Sequence, residues 1–154
     1  MKTITLQNFL YESNRAGYAG GYSKRWIKEK DGSTTIKFEL GDWKSHDNFF
    51  GGEPYGGRII VTKRNKPHWM MVYYGWVKKG IDPNAVYPIL QGALKLMPKE
   101  APFRGPSEFK KEDYVYKNRW TGKIGKYLGD EKILLGNKII YRAYYMGGFV
   151  DRKI

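Results

Sequence analysis

Apolar positions along the chain switch between two spacings. In residues 5–15, Leu6, Phe9, Leu10 and Ser13 recur at helical spacing, with Thr5 placed to cap the start. A first helix is predicted there, ended by Gly17 and the stretch Tyr18-Ala19-Gly20-Gly21. Tyr18, set between glycines, points either into the core or into a site. Residues 23–43 predict a hairpin: Trp26 and Ile27 lead to the tight-turn pair Asp31-Gly32, and Thr35 to Leu40 then alternate. Residues 57–64 predict another strand, and Asn65-Lys66-Pro67 a turn. Residues 68–77 are nearly apolar at both parities, which predicts a central strand covered on both faces. Asp82-Pro83-Asn84 reads as a helix start, followed by the stripe Val86, Ile89, Leu90, Ala93, Leu94 and Met97. Pro88 implies a late start or a kink, and Pro98 a stop. Residues 99–112 look irregular. Tyr114-Val115-Tyr116 begins a strand, glycines punctuate residues 119–129, and residues 132–145 predict a last hairpin around Gly136-Asn137.

Two helices and about seven strands joined mostly by hairpins predict a single α+β domain over residues 1–154, with a curved, mainly antiparallel sheet. A chain of 154 residues suits one domain. Aromatic residues, 16% of the chain, agree with a strand-rich fold.

The densest unusual composition lies at residues 49–76. Gly51, Gly52, Gly56 and Gly57 surround Glu53, Pro54 and Tyr55. Glycines there permit close approach of the backbone to a ligand or to another strand. Farther on, Arg104 stands between Phe103 and Gly105-Pro106, residues that restrain the backbone around a guanidinium. It could grip an anion with parallel hydrogen bonds, or form an ion pair with Glu53 or Glu131. The candidate ligand set is Gly52, Glu53, Tyr55, Gly56, Trp69, Tyr74 and Arg104, with the rings as stacking surface, Arg104 for the anion and Glu53 to orient a donor.

Charge widens the choice. The net charge is +13, spread over both halves of the chain. It suits an anionic partner or simply a soluble basic surface. Basic and aromatic residues interleave at Lys110, Lys111, Lys117, Arg119, Trp120, Lys123 and Lys126, a mixture that can follow a phosphate backbone and stack bases. Glu108, Glu112 and Asp113 interrupt it, and a half-exposed strand has the same pattern.

Several chemistries lose support. Without cysteine there is no disulfide, thiolate catalysis or Cys-based zinc site. No Walker-type phosphate loop and no Gly-x-Ser-x-Gly elbow occurs, and Gly122-Lys123-Ile124-Gly125 lacks the strand–turn–helix context of a dinucleotide fingerprint. No cofactor is implied. His46 and His68, even with Asp47 or Glu53, make a poor metal set, so no metal is expected. Glu53 and Glu131 could act as acid and base in a hydrolase if the fold joins them; alternatively Glu53 holds its own turn. The N-terminus lacks the apolar core of a signal peptide, and no apolar run nears the ~20 residues that span a bilayer. A cytoplasmic location without membrane contact is expected.

An ordered set of motifs resembles an uncharacterised prokaryotic family, domain of unknown function 5680. The matching residues are Tyr18-Ala19-Gly20, Phe50 through Gly57, Lys66-Pro67-His68-Trp69-Met70, Tyr73-Tyr74-Gly75, Phe103-Arg104-Gly105-Pro106, Asp130-Glu131-Lys132-Ile133, and Tyr145 with Gly147-Gly148. The resemblance implies no reaction. Family members stand alone or fused to a helix-turn-helix regulator, which implies ligand sensing by analogy. The leading expectation is a non-enzymatic module binding a small, nucleotide-like anion, to sense or to sequester it; a nucleic-acid-binding surface is the alternative.

Overall fold

The structure is a computed structural model that describes residues 2–18 and 26–152, with Tyr18 described by its backbone alone. The alternatives posed for the Tyr18 side chain and the glycines after it therefore fall outside the described residues, as do residues 23–25 of the first hairpin.

Helix α1 (Leu6–Tyr18) begins as the capping pattern predicts, with the Asn8 amide donating to Thr5 Oγ1. Strands β1 (Ile27–Lys28), β2 (Thr34–Leu40), β3 (Trp43–Phe50), β4 (Tyr55–Lys63) and β5 (Lys66–Val77) follow as an antiparallel meander. Helix α2 (Pro83–Leu94) crosses over to β6 (Glu108–Lys111), β7 (Tyr114–Lys123), β8 (Lys126–Leu135) and β9 (Lys138–Phe149). Strand β9 pairs with β5, so both meanders form one open sheet in the order β1-β2-β3-β4-β5-β9-β8-β7-β6. The fold is α+β and mostly sheet.

Among the described residues the sheet holds nine strands rather than about seven. Strand β3 was missed because Trp43, Ser45, Asp47 and Phe49 point inward while polar residues occupy both parities, which blurs alternation. Strand β6 is only four residues long and follows a proline- and glycine-broken segment. The turn before β5 is shorter than predicted. Arg64 and Asn65 both take positive φ (50° and 62°), the geometry of a two-residue hairpin, and β5 starts at Lys66. Helix α2 starts where predicted: Asp82 accepts the Asn84 amide, Pro83 takes the first turn, and the helix runs on through Pro88.

Strand β5 is central, but it is not buried on both sides. Trp69, Met71, Tyr73 and Val77 are buried, whereas Val72 and Tyr74 are exposed. Both helices lie on the inner face. Phe9 of α1 packs against Phe38 and Trp43, with ring centroids 5.5 and 5.8 Å away. Val86, Ile89, Leu90 and Ala93 of α2 pack with Val77, Ile133, Ile140 and Tyr141. The helices meet where Asn14 Nδ2 donates to the Leu94 carbonyl (2.9 Å), which also accepts from the Met97 amide in the turn that ends α2.

Two glycines admit rings onto the inner face. A Cβ at Gly75 would sit 2.8 Å from the Tyr55 ring, and one at Gly129 would sit 1.9 Å from the Tyr145 ring. Each glycine is the cross-strand partner of the ring it admits. Here the glycines serve strand against strand rather than backbone against ligand.

Candidate functional site

A cavity of ≈ 350 Å³ lies between the two helices and the inner face of the sheet. Helix α1 contributes Leu10 and Ser13, and α2 contributes Tyr87, Leu90, Gln91 and Leu94. The floor is Ser45, Asp47, Trp69, Met71 and Tyr73 from β3 and β5. Phe103 and Arg104 close one end. The lining is mostly apolar, so its few polar groups are conspicuous.

Asp47 and Tyr73 form one of them. Tyr73 Oη donates to Asp47 Oδ1 at 2.5 Å. Burial pushes the Asp47 carboxyl up to about 6, against the opposing pull of the Tyr73 hydrogen bond and the Arg104 charge. Burial and the neighbouring carboxylate push the Tyr73 phenol far above its ordinary value, so it remains a donor.

Arg104 belongs to a larger network. Its Nε and Nη2 both reach Glu131 Oε1 at 2.8 Å, and Nη2 also donates to Tyr55 Oη at 2.9 Å. The guanidinium lies over the Tyr73 ring, 5.4 Å from its centroid. Burial opposes its charge most strongly, but the Glu131 carboxylate together with Tyr55 and Tyr141 more than offsets burial and keeps the guanidinium protonated. Glu131 is fully enclosed, and its other oxygen accepts from Tyr116 Oη. Tyr55 and Tyr141 share a hydrogen bond of 2.5 Å. The segment carrying Arg104 is itself buried. Its backbone is satisfied by side chains: the Gly105 amide donates to Tyr116 Oη, and Asn118 Nδ2 donates to the Gly105 carbonyl. Nη1 of Arg104 makes no hydrogen bond among the described residues and belongs to a side chain that lines the cavity.

Of the predicted ligand set, Gly52, Tyr55, Trp69 and Arg104 line this cavity. Trp69 is pinned there, its Nε1 donating to the Ile124 carbonyl (2.8 Å) and its ring stacked on Tyr127. Tyr74 does not line it: the pleat of β5 turns it outward, 52% exposed. Gly56, its cross-strand partner, follows it onto the outer face. Glu53 lies outside the lining. It accepts hydrogen bonds from the Val77 amide (2.8 Å) and from Tyr87 Oη, which ties the glycine-rich turn to β5 and α2. Glu53 and Glu131 share no partner, and the rings of Tyr87, Tyr141 and Tyr55 lie between their networks.

The basic stripe is divided by strand alternation. Lys117 and Arg119 project from the outer face of β7, while Trp120 turns inward against Phe103, with centroids 5.9 Å apart. Lys123 and Lys126 flank the β7–β8 turn, and Lys110 and Lys111 sit on the edge strand β6. His68 packs edge-on between Trp43 and Phe149, and burial followed by the Lys63 charge lowers its pKa. Among the described residues, no group of three or more His, Asp or Glu side chains is placed to hold a metal. No helix there is long and apolar enough to cross a membrane.

Sequence reasoning missed Asp47 as a pocket group, weighing it only as a metal ligand. The available signal was period 2: Ser45 and Asp47 interrupt the inward row begun by Trp43 and ended by Phe49. A carboxylate in a row that faces the core needs a partner or a use.

The class defined by this geometry is an α+β fold with an apolar cavity between its helices and its sheet. A family model for the Domain of unknown function (DUF5680) matches residues 47–150, and the chain belongs to that family. The match spans Asp47, Tyr55, Tyr73, Arg104 and Glu131, so the whole polar network lies within it. No curated protein and no solved structure matches the chain.

Proposed function

We propose that the chain is a non-enzymatic binding module whose cavity holds a small, predominantly apolar molecule by its polar end. The observation that carries this reading is the mostly apolar cavity whose lining brings together Asp47, Tyr73 and Arg104. Its volume falls at the lower end of the ~300–1,000 Å³ typical of ligand sites, and its composition is theirs: apolar walls with few placed polar groups.

Charge narrows the ligand. The nucleotide-like anion suggested by sequence depends on Arg104, whose charge is already met by Glu131. Above pH 6 or so Asp47 adds a negative charge to the same wall. A second anion would be opposed there. A neutral head group is favoured, since it can donate to Asp47 and accept from Nη1 of Arg104; a cationic one would donate to Asp47 alone. Sensing and sequestering both follow from such a site.

The test is to screen a set of small organic fragments by NMR and, in parallel, to heat-denature the purified protein and weigh what it releases. Expected are amide shifts clustered at Ser45, Asp47, Tyr73, Leu90 and Arg104, all lost in Gln91→Trp, which fills the cavity from α2. An empty protein whose fragment hits persist in Gln91→Trp overturns the reading.

A further inference from the structure

Among the described residues, neither helix covers the outer face of the sheet. At its centre β5 presents Val72, Tyr74 and Trp76, and β9 presents Arg142, Tyr144 and Met146. The register sets Val72 opposite Met146 and Tyr74 opposite Tyr144. Trp76 contacts both tyrosines, with ring centroids 5.9 Å from each. Tyr74 is 52% exposed and Tyr144 47%, so the rings present open surface.

Basic side chains flank these rings. Arg58 on β4 is the cross-strand partner of Val72. On the other side β8 presents Lys126 and Lys132, and β7 presents Lys117 and Arg119. Asp130 is the one carboxylate that strands β4, β5, β9, β8 and β7 place on this face, and Arg142 lies 3.5 Å from it.

We propose that this outer face binds single-stranded nucleic acid, with bases stacked on Tyr74, Trp76 and Tyr144 and phosphates met by Arg58, Lys132 and Arg119. Antiparallel sheets that present aromatic rings among cations read unpaired bases in this manner. Charge complementarity selects the occupant. A second copy would set two strongly basic faces against each other, which like-charge repulsion disfavours. A duplex keeps its bases stacked internally and leaves the rings unused. The surface is distinct from the cavity, since the pleat of β5 separates the two sets of side chains.

The experiment is fluorescence anisotropy of the full chain with labelled oligouridylate and oligothymidylate of about 12 nucleotides, and with a duplex of the same length, across a salt series. Expected is binding of the single strands in preference to the duplex, with log affinity falling by about 0.7 per phosphate contact for each tenfold rise in salt. Tyr74→Ala with Tyr144→Ala should weaken binding at least about tenfold and leave the salt slope unchanged, because stacking contributes roughly 1–3 kcal/mol per base. Arg58→Ala and Lys132→Ala should each lower the salt slope by about one contact. All four side chains face solvent, so the variants retain the fold, which circular dichroism verifies. Equal affinity for the duplex, or undiminished binding by the double tyrosine variant, overturns the proposal, as does absence of binding at low salt. Loss of binding in the cavity variant Gln91→Trp would also overturn it.

Discussion

Tyr73 and Tyr74 are neighbours in the chain and lie on opposite faces of β5. Tyr73 is 8% exposed and gives its hydroxyl to the half-buried Asp47 carboxylate; Tyr74 is 52% exposed and rests against Trp76. The same contrast holds for the faces as wholes. The inner face carries its polar groups in hydrogen-bonded networks beneath two helices, with Arg104 Nη1 left over beside the cavity. The outer face carries rings and cations open to solvent. Polar groups are tolerated inside only when partnered, whereas outside water satisfies them at no structural cost. The inner face should therefore respond strongly to single substitutions and the outer face weakly.

The largest effect is expected at Glu131. Glu131→Gln leaves the Arg104 charge buried without its counterion, and a loss of about 3–5 kcal/mol should appear in urea unfolding. Replacing both residues by methionine should recover much of that loss, since no charge is then stranded. Equal loss in the single and double variants would mean that packing, not charge, governs the network.

Next comes Asp47, with a sign set by pH. Its folded pKa of about 6 lies above the ordinary 3.8, so the folded state retains a proton that the unfolded chain releases. Stability therefore falls as pH rises from about 4 to 6 and then levels out. Asp47→Asn removes this dependence while keeping an acceptor for Tyr73. The gap in unfolding free energy between the variant and the parent, measured in urea, should open in the variant's favour across that window, by at most about 3 kcal/mol at neutral pH. A gap independent of pH would place the titration elsewhere.

Gly129→Ala should cost about 1–3 kcal/mol, because the new methyl occupies the seat of the Tyr145 ring, which must shift. Calorimetry measures it, and Tyr145→Ala in the same background should remove the clash. The smallest effect is expected at Tyr74→Ala: within about 0.5 kcal/mol, as for most exposed positions. A large loss there would show that the outer face is part of the core.

Much of the local structure is legible along the chain. Thr5 and Asp82-Pro83 mark both helix starts, and the stripes Leu6-Phe9-Leu10 and Val86-Ile89-Leu90-Ala93 are the faces that become buried. Asp31-Gly32 and Gly136-Asn137 mark hairpin turns, since those residue types accept the positive φ that Gly32 and Gly136 adopt. Arg104 could be singled out because Gly105-Pro106 and Phe103 restrict the backbone around it. Its partner could not. Glu53 and Glu131 were equivalent choices until the fold placed Glu131 under the guanidinium, 27 positions away in the chain.

The sequence alone therefore determined the helices, three of the hairpins, the net basic charge and the short list of unusual residues, because caps, turns and periodicity act over a few residues. The tertiary structure decided which face of β5 the helices would cover, and with that the separate fates of Tyr73 and Tyr74. An alternating strand states that two faces differ. A strand apolar on both parities does not even state which one faces the core. It also decided that Asp47 faces a cavity and that the glycines at positions 75 and 129 seat rings. Those outcomes depend on contacts between segments far apart in sequence, formed only when the whole sheet assembles.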